Sequence, residues 1–115
     1  MDAGVVARAL RLVGLGVRSR GAIVGVGQVR EAVKTGEVAL AVVAVDASHH
    51  SLSKVVPLLE ARGIRIVRVP SASELGQAVG REQTAVVGIV DRELARGIRA
   101  LTDSAPERAR KEELA

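Results

Sequence analysis

The stretch Gly21–Asp46, "GAIVGVGQVREAVKTGEVALAVVAVD", decides the fold. It holds a short apolar run over 21–25, two glycines two residues apart, and Val29, Ala32 and Val33 at helical spacing. A closing Gly36 and a longer apolar run over 38–46 follow. Recurrence at three and four residues predicts a helix over Gln28–Thr35, and a glycine just beyond it is a common C-terminal stop. The runs on either side read as buried strands, the second apolar on both faces as a central parallel strand is. Strand, helix and strand in so short a span mean an α/β unit. Glycines at the helix start let backbone N–H groups approach an anion, which a helix N-terminus favours. A nucleotide loop, an RNA clamp and a plain tight turn all have this form.

Working outward, Val6, Leu10, Leu12 and Val13 predict a helix over 3–17, with Asp2 as its N-cap and Gly14 and Gly16 weakening its end. Downstream, Ser48 or Ser51 caps a helix whose inner face carries Leu52, Val55, Val56 and Leu59, and Gly63 ends it. Pro57 removes a hydrogen bond there, so a kink or a late start is expected. "IRIVRV" (64–69) alternates, with Arg65 and Arg68 on polar positions, as a strand near a sheet edge does. Ser73 and the run Glu74–Val79 mark a short helix, 84–90 a further strand, and Asp91–Leu101 a helix. Ser104-Ala105-Pro106-Glu107 has a capping-box pattern, in a tail over 103–115 whose composition fits a helix or disorder equally. The elements alternate, which predicts one α/β domain over 1–102: a mostly parallel sheet with helices on both faces.

With 115 residues, nearly half of them apolar, the chain is long enough to bury a core without staples. It has no Phe, Tyr or Trp, so the core rests on Val, Ala and Leu. Single-strand binding on aromatic stacking platforms is excluded for the same reason. With no cysteine there are no disulfides, iron–sulfur clusters or thiol chemistry. The longest apolar run, Val38–Val45, is too short to span a bilayer, and Asp2, Arg8 and Arg11 do not suit a signal peptide. A soluble, cytoplasmic protein with no membrane partner is expected. The net charge of +4 resides in residues 1–34, where Arg8, Arg11, Arg18, Arg20, Arg30 and Lys34 face only Asp2 and Glu31. Fourteen of the seventeen basic residues are Arg, whose planar fork grips phosphate with two bonds. A solvated charged face is the alternative reading of that excess.

Several chemistries drop out. A dinucleotide fingerprint needs a third glycine where Arg30 stands, and no Gly-Lys-Ser/Thr exists for a P-loop. Asp46 ends the strongest strand, but the first strand supplies no acidic partner for a metal-assisted aspartate, so it reads as a capping or turn residue. His49 and His50 are adjacent and cannot face one metal from a helix. No metal, cofactor or enzymatic activity is expected.

Four phrases carry a resemblance: "G-x-G-Q-x-x-x-A-V-K-x-G" (25–36), "L-A-V-V-A-V-D-A-S" (40–48), "V-P-L-L-E-A-R-G-I" (56–64) and "V-P-S-x-x-E-L-G-x-A-x-G" (69–80). Over about residues 8–100 the chain resembles the ribosomal-protein family of L-seven-Ae and L-thirty-e, whose members bind kink-turn RNA. Its "L-V-G-L-G-V-R-S-R-G" and "G-I-V-D-R-E-L-A-R-G-I" phrases are more similar to the bacterial ribosomal-protein-like branch. The resemblance implies a three-layer α/β/α sandwich with a four-stranded mixed sheet. It implies an RNA surface at Gly25, Val26, Gly27, Gln28, Arg30 and Glu31, assisted by the loop after Gly80 with Arg81 and Glu82. Gln28 matches the Glu/Gln position that reads guanine edges, while Gly27 replaces the usual Asn or Lys and Glu31 a Lys. Arg18, Arg20, Arg30 and Lys34 are the expected phosphate-neutralising residues.

Two functions follow. The first is a non-enzymatic binder of ribosomal or other kink-turn-like structured RNA, on or off the ribosome, with no DNA partner. The second is a protein-interaction module on the same fold, favoured by Gly27 and Glu31 and opposed by the basic N-terminal third. A small nucleotide-binding domain is a third reading.

Overall fold

A computed structural model describes residues 1–114, with side chains described through Asp103. The elements run α1 (Ala3–Arg18), β1 (Ala22–Val24), α2 (Val26–Lys34), β2 (Leu40–Ala44), α3 (His49–Ala61), β3 (Arg65–Val69), α4 (Ala72–Ala78), β4 (Val86–Ile89) and α5 (Arg92–Leu114). The four strands form one sheet in the order β1-β4-β2-β3.

Side-chain alternation builds the layers. Leu40, Val42, Ala44, Val87 and Ile89 point to one face, where Val6 and Val13 of α1, Leu75 of α4 and Ile98 of α5 cover them. Ala41, Val43 and Val86 point to the other, under Val29 and Val33 of α2 and Val55 and Leu59 of α3. The result is the α/β/α sandwich with a mixed sheet that the family resemblance implies.

Strand direction departs from the mostly parallel sheet read from the apolar runs. Only β2 and β3 pair parallel; β4 is antiparallel to both β1 and β2. Continuous apolar strands report that both faces are covered, not which way neighbours run. The cause lies in α4. Thirteen-residue α3 is about 20 Å long and carries the chain back along the sheet, whereas seven-residue α4 is about 10 Å and does not. The chain returns to the end it left, with Thr84 N–H donating to the Ala72 carbonyl at 3.0 Å, and enters β4 reversed.

Smaller differences have local causes. α2 begins at Val26, two residues ahead of expectation, because Gly25 serves as its N-cap. Ser71, not Ser73, caps α4. α3 starts at His49 and runs through Pro57 to Ala61 rather than starting late. α1 continues through Gly14 and Gly16, which are sites of close approach: a Cβ on Gly14 would stand 2.8 Å from the Ala78 carbonyl oxygen. Asp46 accepts from Ala72 N–H at 2.7 Å and so ties the end of β2 to the start of α4. α5 extends past the expected end at Leu101, and the side chains of the capping-box phrase at 104–107 lie outside the described residues. Among the described residues no helix is long and apolar enough to cross a membrane, and no His/Cys/Asp/Glu cluster could hold a metal ion.

Candidate nucleic-acid interface

The last residues of β1, β2 and β3 and the first of β4 meet at one end of the sheet. Gly25 N–H donates to the Val86 carbonyl at 3.0 Å, Ala44 N–H to Ala85 at 2.9 Å, and Val45 N–H to Val69 at 2.9 Å. The α2 start and the α4–β4 loop therefore sit at this common end.

Four helices begin under a side chain that accepts their free N–H groups. Asp2 caps α1, Ser48 α3, Ser71 α4 and Asp91 α5, at 2.8–3.1 Å. α2 has no such cap, since Gly25 stands at the position and has no side chain. Its carbonyl takes Val29 N–H at 2.9 Å. The N–H groups of Val26, Gly27 and Gln28 meet no acceptor among the described residues, which leaves the positive end of the helix dipole open.

The two glycines differ. Gly25 has φ +99° and ψ 152°, a conformation that L side chains rarely adopt, although a Cβ there would meet nothing within 4 Å. Gly27 has ordinary helical backbone and equally open space, so nothing in the structure requires glycine there. Gln28 is exposed beside it.

The charged candidates are partly engaged. Arg30 Nη1 donates to the Lys54 carbonyl at 2.9 Å, holding α2 against α3. Lys34 Nζ lies 3.5 Å from Glu31 Oε1, the lysine half-exposed and the glutamate largely so, and Glu31 thereby offsets the nearest lysine of its own helix. Lys34 ends α2, about 12 Å along the axis from Val26. Arg81 and Glu82 are exposed in the α4–β4 loop, whose backbone lies against Gly76; a Cβ on Gly76 would stand 2.8 Å from the Glu82 carbonyl oxygen and 2.9 Å from that of Arg81.

Arg18 and Arg20 lie elsewhere. Arg18 ends α1 and lines a groove against α4, on the opposite face of the sheet from α2. Arg20 has φ +63° in the turn before β1, at the end of that strand away from Gly25. The structure thus brings Gly25, Val26, Gly27 and Gln28 to the same sheet end as Arg81 and Glu82, with Arg30 and Glu31 a turn further along. It does not bring Arg18 or Arg20 to them. The sequence already points to an anion-facing helix start at Gly25–Gly27; the structure adds that no side chain caps it, and its sequence signal is a glycine at 25 where the other four helices have Ser or Asp.

The family model described as Ribosomal protein L7Ae/L30e/S12e/Gadd45 family matches residues 7–98. A solved structure of a protein with unknown function from Bacillus halodurans is similar at 33% identity with a TM-score of 0.77, covering 84% of this chain and 98% of that one. The Giardia lamblia 15.5kD RNA binding protein shares the fold at 20% identity with a TM-score of 0.78, over 93% of this chain and 92% of that one. No curated protein is significantly similar in sequence.

Proposed function

The chain belongs to the ribosomal protein L7Ae/L30e/S12e/Gadd45 family, and from that premise we propose that it is a non-enzymatic binder of structured RNA. The observation that carries this reading is the uncapped start of α2 at Gly25, at the sheet end shared with the α4–β4 loop. Three free N–H groups at a helix N-terminus form an anion site that needs no side chain. A phosphate of the RNA backbone is the ligand they suit, and the smallness of Gly27 permits close approach. Gln28 is exposed for a base edge, and its amide offers both a donor and an acceptor. The Giardia lamblia protein of the same fold is itself an RNA binder.

The finer reading is a kink-turn or a related bulged element of ribosomal RNA, with Arg81 and Glu82 on the flanking loop. A gel-shift titration against kink-turn, plain-stem and bulged RNAs at two salt concentrations tests it. The expected result is binding that weakens with salt, log K falling by about 0.7–0.9 per log unit of salt for each phosphate neutralised. Absence of binding to all three RNAs at low salt overturns the proposal.

The Glu31–Lys34 pair and the anchoring of Arg30 favour a second reading, a protein-interaction module on the same fold. That reading requires a protein partner that stays bound after nuclease treatment.

A further inference from the structure

At the other end of the sheet, away from Gly25, lies a hollow of about 190 Å³ walled by four arginines: Arg65, Arg92, Arg96 and Arg99. Its remaining lining is small, from Ala95 on α5 and Ala39 and Leu40 at the start of β2. The fold assembles this group from two distant segments. Arg92, Arg96 and Arg99 recur at four and three residues and so share one stripe of α5. Arg65 begins the edge strand β3, paired with Leu40 in register.

The hollow holds more donors than its acids satisfy. Asp103 is shared, bonding closely to Arg65 and accepting from Arg99 Nε at 3.3 Å. Glu93 pairs with Arg96 at 3.1 Å, from a position largely in solvent. Arg92 has no ion pair among the described residues. Asp91 is committed to capping α5, and Glu37, just before β2 at the same end, accepts from the Thr35 hydroxyl; neither these two nor Glu60 at the end of α3 lines the hollow. Four guanidiniums therefore meet two carboxylates around a concave floor, and each guanidinium carries five donors. Like charges four residues apart on a helix repel, as Arg92 and Arg96 do, and an anion seated between them removes that repulsion.

We infer that this hollow is a second phosphate-binding site, taking a phosphodiester of the same RNA that α2 contacts; the inference rests on the RNA-binding reading above. The two sites are separated by at least the length of five-residue β2, about 17 Å. One protein then touches two separate stretches of RNA backbone, one through bare N–H groups and one through arginine forks.

The test is the double variant Arg92→Gln/Arg96→Gln in the full chain, with Arg8→Gln/Arg11→Gln on α1 as a control of equal charge loss. Both pairs are exposed, so the thermal midpoint is expected to stay unchanged. Against the RNA that binds best, loss of two phosphate contacts raises Kd roughly 25- to 60-fold at 0.1 M salt and lowers the salt slope by about 1.4–1.8. The control is expected to leave both nearly unchanged. If wild type binds RNA and the Arg92/Arg96 variant matches it, or if the control loses as much, the second site is refuted while the RNA-binding proposal stands. If wild type binds no RNA, both fall.

Discussion

Gly25 and Gly27 look alike in sequence, and the structure predicts opposite responses to the same substitution. Gly25 holds φ +99° and ψ 152° with no atom within 4 Å of a built Cβ, so Gly25→Ala is penalised by backbone conformation alone. Residues forced into such regions cost about 1–3 kcal/mol. Relaxing the dihedral does not escape the cost, because it pulls Gly25 N–H from the Val86 carbonyl or the Gly25 carbonyl from Val29 N–H. Each of those bonds is worth about 0.5–1.5 kcal/mol net. Gly27 sits in the first turn of α2 with ordinary φ and open space, and Gly27→Ala gains helix propensity, about 0.5 kcal/mol of the full interior value near 1. For a chain of this length 1 kcal/mol moves the midpoint by about 4 °C. Thermal and urea denaturation should show Gly25→Ala lowered by about 4–12 °C and Gly27→Ala raised by about 2 °C. Shifts of the same sign, or Gly25→Ala within 0.5 kcal/mol of wild type, would refute the assignment of Gly25 as a conformationally required cap.

Three further predictions concern the same surface and its support. Glu31→Lys replaces the acid that offsets Lys34 and should tighten RNA binding about five- to eightfold at 0.1 M salt, steepening the salt slope by about 0.7–0.9; an unchanged slope would mean that position 31 does not face phosphate. Gly76→Ala drives a Cβ to 2.8–2.9 Å from three backbone atoms of the α4–β4 loop, and should destabilise by about 1–3 kcal/mol in urea unfolding while displacing Arg81 and Glu82. A neutral Gly76→Ala would show that the loop does not rest on α4. Thr84 buries a hydroxyl with no partner among the described residues, so Thr84→Val should stabilise by about 1 kcal/mol; a loss would reveal an acceptor for that group.

Much of the fold was legible because apolar runs and glycine stops are local signals. Val38–Val45 announces a strand covered on both faces, and Gly36 and Gly63 stop helices at the left-handed φ values of +76° and +66°. Strand direction was not legible, since it follows from how far each connection carries the chain, and α4 turns back where α3 crosses over. The candidate site was half legible. The spacing of Gly25, Gln28 and Gly36 points to the helix start, but Arg18 and Arg20, near it in sequence, lie before β1, which runs from them to Gly25 at the opposite end of the sheet. The arginine hollow was invisible in the charge count, because residues 35–115 balance eleven bases against eleven acids and Arg65 meets Arg92, Arg96 and Arg99 only through the fold.

The most direct test of RNA contact at the α2 start is a backbone-amide NMR titration of the intact chain with a kink-turn RNA. The amide resonances of Val26, Gly27 and Gln28 are expected to move most, followed by those of the Arg81–Glu82 loop, and added salt is expected to reverse the shifts. Binding that leaves those three amides unmoved, or no binding at low salt, would contradict that contact.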